Sequence, residues 1–290
     1  PWRRMICGDM SSAFRPYHGE KIEFPKSVER DEFITTIHQA QYRDLPQGYK
    51  NLSLEEQKMI NTQPRRTQLM PRQEPGIKDS NGLKYAMAVH GCFDANEDAF
   101  HIVMANPDFY FGQKTRGYPL MVYAIGDYRT AHGQGYEKMR TWNYAVAAGD
   151  QLTASFPLRN FPNKDYHLRV YGPNGFFREF RGNHQDPPLK LTYMPETISS
   201  DPRKLTGNLE LVLHNTSDSE LIVRIEDRAY GLPPTQLTVE PGLQKSVLDL
   251  SQSHFWYDFI LRVDGYDSYA QYAAGRVETG QSGKSDPQMA

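Results

Sequence analysis

Leu168-Arg169-Val170-Tyr171-Gly172 and Leu261-Arg262-Val263-Asp264-Gly265 are nearly one pentapeptide written twice, 93 residues apart. In each copy Leu and Val alternate with Arg, the period of a strand that offers one face to a core. Val146 and Gly149 recur as Val239 and Gly242 at the same spacing, and Gly182 recurs as Gly275. Ile102-Val103-Met104-Ala105-Asn106 is echoed by Leu211-Val212-Leu213-His214-Asn215, 109 residues on. Spacings shared by separated landmarks mark a duplicated unit.

Outward from these landmarks the same alternation continues. Leu83, Tyr85, Met87 and Val89 alternate with Lys84, Ala86, Ala88 and His90, and Trp142, Tyr144 and Val146 follow suit. Turn signals fall between the runs at Asp94-Ala95-Asn96, Asn106-Pro107, Ala148-Gly149-Asp150 and Gly172-Pro173-Asn174-Gly175. About seven strands over 83–182 suit an Ig-like sandwich. The expected fold is all-β: two tandem antiparallel β-sandwich modules over 83–183 and 188–277, each with its own core. Residues 1–80 form a loop-rich lead-in and linker with two short helices. One is capped by Ser27 ahead of Glu29, Asp31 and Glu32, the other by the capping box Ser53-Leu54-Glu55-Glu56. Each helix has one narrow apolar stripe and is expected to lean on another element. Pro71 to Gly82 reads as the linker proper. The polar residues 278–290 are expected to be a flexible tail.

The totals narrow the function. A formal net charge of −2, with 33 basic and 35 acidic residues and no long run of one sign, argues against a nucleic-acid partner. No run of 18 apolar residues is present, so no membrane-spanning helix is expected. The start, Pro1-Trp2-Arg3-Arg4, carries no apolar leader, and reads as a fragment or processed product. Two cysteines, Cys7 and Cys92, are too few for a disulfide framework and are read as separate thiols, a bridge between them staying open.

The motifs give no catalytic, cofactor or metal residue. Gly283-Lys284-Ser285 lacks the earlier glycine of a phosphate loop, a position held by Glu278. Asp94, Asn96 and Asp98 have calcium-loop spacing, but Ala99 and Ala105 stand where Gly and Glu are needed, so a hairpin turn explains them. None of the nine histidines pairs with another at metal-ligand spacing on a helix. Two aromatic, basic loops stand out instead, Phe109-Tyr110-Phe111 with Lys114 and Tyr118, and Tyr128-Arg129 in the stretch 126–136. Such loops suit a lipid headgroup layer or a partner domain, or else pack under the sandwich rim.

Tyr171-Gly172-Pro173-Asn174-Gly175-Phe176-Phe177-Arg178-Glu179-Phe180-Arg181-Gly182 resembles the repeated C-terminal domain of the bacterial phosphocholine-preferring phospholipases C. Pro1 to Phe14 is similar to the segment that closes their catalytic domain, and Leu69 to Gly76 to the run before the first repeat. In the second copy Tyr266-Asp267-Ser268 replaces the Pro-Asn-Gly turn. The resemblance implies a secreted or periplasmic enzyme that splits phosphatidylcholine or sphingomyelin to phosphocholine. It places the catalytic machinery in an N-terminal phosphoesterase domain, and none of that machinery maps here. The chain is then an accessory region whose partners are that domain, a phosphatidylcholine-containing membrane or a chaperone. The alternative is an independent lipid- or carbohydrate-binding module.

Overall fold

The computed structural model describes residues 19, 21, 29–45, 47–63, 66–70 and 76–289. Cys7, Ser27, the motif Pro1 to Phe14 and the linker residues Pro71 to Pro75 lie outside the described residues. The chain divides into two compact units, one comprising residues 1–6 and 17–72, the other 7–16 and 73–290.

The first unit contains α1 (Arg30–Gln39) and α2 (Leu54–Thr62). The capping box of α2 is formed: Ser53 Oγ accepts from the Glu56 amide at 3.2 Å, and Glu56 Oε2 accepts from the Ser53 amide at 2.8 Å. At α1 the N-cap is Glu29 with no side-chain bond; Asp31 and Glu32 put negative charge beside the exposed first-turn amides. Neither helix buries a residue.

In the second unit the first copy supplies β1 (Asp79–Ser80), β2 (Ala88–Asp94), β3 (Ala99–Ala105), β4 (Tyr118–Ala124), β5 (Asp127–Arg129), β6 (Tyr136–Lys138), β7 (Thr141–Val146), β8 (Gln151–Pro157), β9 (Tyr166–Tyr171) and β10 (Phe177–Gly182). The second supplies β11 (Leu189–Ile198), β12 (Asp201–Asn215), β13 (Leu221–Asp227), β14 (Thr235–Val239), β15 (Gly242–Leu248), β16 (Trp256–Val263), β17 (Ala270–Arg276) and β18 (Gly283–Lys284). In the first copy β2-β3-β8 face β4, β7, β9 and β10 across a core that includes Val89, Phe100, Ile102, Val122, Leu168 and Phe180. In the second, β11-β12-β15 face β13, β14, β16 and β17 across Leu191, Leu211, Val223, Leu261 and Ala273. The all-β sandwich class is as the alternation predicts.

The copies are fused rather than merely tandem. The four-stranded layers join into one eight-stranded sheet, ordered β14-β13-β16-β17-β10-β9-β4-β7. The join is the antiparallel pairing of β10 with β17, from Phe177↔Ala274 to Arg181↔Ala270. These are equivalent strands of the two copies, so the seam is self-complementary in the manner of a two-fold dimer interface. The 109-residue echo has a physical cause as well. Asn106 just after β3 and Asn215 at the end of β12 stand at equivalent places and are buried. Asn106 Nδ2 donates to the Arg116 carbonyl at 2.8 Å, and Asn215 Nδ2 to those of Ser219 and Val239 at 2.7 and 3.0 Å.

At the turn Gly172 to Gly175, the Gly172 amide donates to the Phe176 carbonyl at 2.9 Å, closing the β9–β10 hairpin as its turn residues predict. Residues 279–289 correct the expectation of a flexible tail. β18 pairs with β1, the Lys284 ammonium meets Asp79, and the Ser285 amide donates to the Lys78 carbonyl at 2.9 Å. Ser285 and Asp286 are buried, and Asp286 accepts from the Tyr230 hydroxyl at 3.0 Å. Backbone pairing and polar partners hold this segment, not an apolar stripe, so composition alone does not reveal it.

Between the copies, Asp186 in the 183–188 connection folds back on the end of β10 and on β9. Its carboxylate accepts from the Asn183 amide at 2.8 Å and from the Tyr166 hydroxyl, and a Cβ at Gly182 would collide with it. Burial raises the Asp186 pKa to about 6, against the lowering effect of those two hydrogen bonds. Folding therefore favours the protonated acid. The contribution is complete below the ordinary carboxyl range and is lost as pH rises through about 6. We expect stability to fall by about 2–3 kcal/mol between pH 4 and 7 on account of this group. Urea titrations of Asp186→Asn should lack that part of the slope; an unchanged pH profile refutes the assignment.

Candidate functional site

Strand β4 decides how the two aromatic loops relate. The 106–117 loop leads into its first residue, Tyr118, and the 125–140 segment leaves from its last, Ala124. At about 3.3 Å per residue, seven residues hold the loops about 20 Å apart, at opposite ends of the first sandwich. They do not form one surface.

At the first end the chain enters and leaves the sandwich. The Arg116 amide donates to the Lys84 carbonyl at 2.8 Å, the Phe111 ring lies against Gly280, and Asn174 Nδ2 reaches Glu278 Oε1 at 3.0 Å. Glu278 is buried with Arg276, at 3.1 Å, and burial pushes its carboxyl up against the lowering effect of that guanidinium. Phe109 is 53% exposed and Lys114 is exposed, while Tyr110 and Phe111 are half-buried. Tyr118, at 3% exposure, is a core residue whose hydroxyl donates to the Ala105 carbonyl at 2.6 Å.

At the other end Tyr128 is 4% exposed. Its ring meets Trp142 and Phe161 edge-on at centroid distances of 5.2 and 5.0 Å, and its hydroxyl accepts from Asn160 at 3.0 Å. Arg129, its neighbour, is exposed. Tyr118 and Tyr128 are thus withdrawn as contact residues, because both spend their rings on the core and their hydroxyls on internal partners. Phe109, Lys114 and Arg129 stand on the surface.

The turn Asp94 to Asp98 behaves as a hairpin turn. Asp94 Oδ1 accepts from the Asn96 amide at 2.8 Å, and Asp98 pairs with Lys164 at 2.8 Å. Asp94, Glu97 and His101 bring donor atoms within 4.8 Å of one another, but Asp94 already caps the turn and Glu97 already pairs with His101 at 3.2 Å. Cys92 is a free thiol whose pKa burial raises, leaving a poor nucleophile.

Arg178 is the functional-looking residue that pattern reading passes over. It sits in β10 at the parity of Phe176 and Phe180, hence inward, and is 1% exposed. Its guanidinium lies over Phe176, Tyr193 and Tyr257 at 4.3, 4.8 and 5.4 Å from the ring centroids. It donates to the Tyr257 hydroxyl at 2.9 Å and to the Phe177 and Ala274 carbonyls at 2.9 and 3.3 Å. Three π faces and three oxygens, drawn from both copies, replace a carboxylate partner. Burial lowers the pKa of nearby His90 to about 4, with the charge on Arg178 adding to it, so this imidazole stays neutral and accepts from the Tyr193 amide at 3.3 Å. At the 93-residue spacing the equivalent of Arg178 is Gln271, which is also buried and bonded to Tyr193 and Tyr269 at 2.9 and 2.7 Å. This cluster fastens the copies together.

On the opposite, outward face of the same strands, Glu179 lies between Arg169 and Arg181, at 2.5 Å from each. Burial would raise its pKa, but hydrogen bonds from His167 and Arg169 and the charge of Arg169 outweigh this and hold it at about 2. The seam thus has a buried polar cluster on each face, Arg178 and Gln271 on one and Glu179 on the other.

Comparison with known proteins follows the duplication. Residues 80–183 and 187–276 each match the family described as bacterial phospholipase C, C-terminal domain. The non-hemolytic phospholipase C of Pseudomonas aeruginosa is 30% identical, over 100% of this chain and 37% of its own length. That of Burkholderia pseudomallei is 27% identical, over 100% and 36%. The hemolytic phospholipase C of Pseudomonas aeruginosa is 26% identical, over 99% and 38%. The chain spans little more than a third of the length of these curated relatives.

Burial separates the aromatic residues in a way unfolding experiments can read. Tyr128→Ala should cost about 3–4 kcal/mol and Arg178→Ala a similar amount, through cavity formation and stranded polar partners. Phe109→Ser should change stability by less than about 0.5 kcal/mol. Equal losses at Phe109 and Tyr128 in chemical denaturation would contradict these placements.

Proposed function

Since the chain belongs to the bacterial phospholipase C C-terminal domain family, we propose that it is the accessory, non-catalytic region of a larger phospholipase C. The observation that carries this is the family match to both sandwiches, in a chain that spans 37% of its 30%-identical relative. The remaining length of such a relative is where a phosphoesterase domain would reside. The partner of this region is then that N-terminal domain in the same protein, and the reaction it serves is hydrolysis of phosphatidylcholine or sphingomyelin to phosphocholine. The site of action is outside the cytoplasm, secreted or periplasmic. Among the described residues no helix is long and apolar enough to cross a membrane.

Physically, the region suits bracing. Its entry at residues 76–84 and its exit at 277–289 are tied by the β1–β18 ladder and the buried Arg276–Glu278 pair. Phe109 and Lys114 extend outward at that end and are the surface we assign to the partner domain. The test is turnover of p-nitrophenylphosphorylcholine by this chain alone, beside the intact Pseudomonas aeruginosa non-hemolytic enzyme. We expect at least a thousand-fold lower rate; a rate within ten-fold of the intact enzyme would reject the accessory role.

A further inference from the structure

The end of the first sandwich remote from the chain's entry carries a feature that the second copy lacks. β5 and β6 form an antiparallel hairpin, Asp127↔Lys138 to Arg129↔Tyr136, that stands apart from the eight-stranded sheet. In the second copy the corresponding connection, between β13 and β14, spans 228–234 and contains no strand. Apart from Tyr128, which packs in the core, the hairpin is no part of the architecture the two copies share.

The arm is ordered from within. The Thr130 amide donates to the Gly135 carbonyl at 3.1 Å, the Met139 amide to that of Gly126 at 2.7 Å, and Thr130 Oγ1 to that of Gln134 at 3.0 Å. Lys138 pairs with Asp127 at 2.6 Å and Arg140 with Glu137 at 3.4 Å. At the base, Arg140 lies over the rings of Tyr128 and Trp142, at 5.7 and 5.8 Å, which roots the arm in the core. Yet two apolar side chains of the hairpin face water: Tyr136, in its outer pair, is 54% exposed, and Met139, which follows β6 at the base, is 52% exposed. Arg129 is exposed with no carboxylate partner among the described residues, its Nε donating only to the Gly133 carbonyl at 3.4 Å. An ordered arm that shows an aromatic, a thioether and one unneutralised guanidinium has the chemistry of a peripheral lipid anchor. Tyr favours the headgroup boundary, Met adds apolar surface, and Arg pairs with lipid phosphate.

We propose that the β5–β6 arm is a lipid-surface contact, with Tyr136 and Met139 entering the headgroup layer of a phosphatidylcholine membrane and Arg129 engaging lipid phosphate. This rests on the accessory role above and adds to it the surface and the residues. It also moves the lipid contact away from Phe109 and its loop, which lie at the opposite end.

The experiment uses the whole chain and vesicles of pure phosphatidylcholine. The parent should co-sediment with them. Tyr136→Ser with Met139→Ser should lose at least five-fold in binding, Arg129→Gln two- to three-fold, and Phe109→Ala nothing. Both altered apolar positions are exposed, so circular dichroism and melting should match the parent. In a Cys7→Ser, Cys92→Ser background, an environment-sensitive dye on Gln134→Cys should shift to the blue on vesicle addition, and one on Asp150→Cys should not. A parent that stays in the supernatant, an arm variant that binds like the parent, or loss confined to Phe109→Ala each overturns the proposal. None of these outcomes touches the turnover test, so the accessory role and the lipid arm fail separately.

Discussion

Five residue pairs, Phe177↔Ala274 to Arg181↔Ala270, fasten β10 to β17 and convert two sandwiches into a single body. Everything else in the second unit is arranged around that ladder. An unpaired strand edge is a template for association; pairing the copies removes one such edge from each and leaves β7 and β14 as the outer strands of the large sheet. The seam also explains why a guanidinium can lie fully inside the protein without a carboxylate. Arg178 sits where the two cores meet, and only there do rings and carbonyls from both copies converge on it.

The same ladder sets the polarity of the region. Because β10 and β17 run antiparallel, the chain leaves β17 at the end where it entered, and β1–β18 closes the two termini of the fold on each other. The Phe109 loop belongs to this anchored end, with Phe111 seated on Gly280. The β5–β6 arm belongs to the far end, beyond the core ring of Tyr128.

Much of this is legible in the residues. Alternation gave the strands, the 93-residue spacing gave the duplication, and the buried Asn106 and Asn215 account for the second spacing. What escapes the pattern is partnership. Two β-edges that pair across copies carry the same alternation as two that face solvent, so nothing in 177–182 or 270–276 announces the seam. Arg178 has the parity of Phe176 and Phe180, a usable signal, but a charged residue in a strand is ordinarily assigned to the wet face. Tyr118 and Tyr128 sit beside loops in sequence, yet Tyr118 opens β4 at its inward parity and Tyr128 is the buried central residue of β5. Residues 279–289 fail for the opposite reason: their burial rests on backbone bonds to 78–80 and on Tyr230, which no hydrophobic period encodes.

The non-identity of Arg178 and Gln271 carries an evolutionary consequence. Had two separate, identical molecules met along this edge, symmetry would have brought two guanidinium groups, or two amides, to the same dry interface. Joining them in one polypeptide lifts that requirement: each side of the dyad can mutate alone, and a cation on one side can be matched by a neutral amide on the other. The seam therefore keeps a two-fold pattern of backbone pairing without two-fold chemistry, and the arm found in only one half shows the same asymmetry at the periphery.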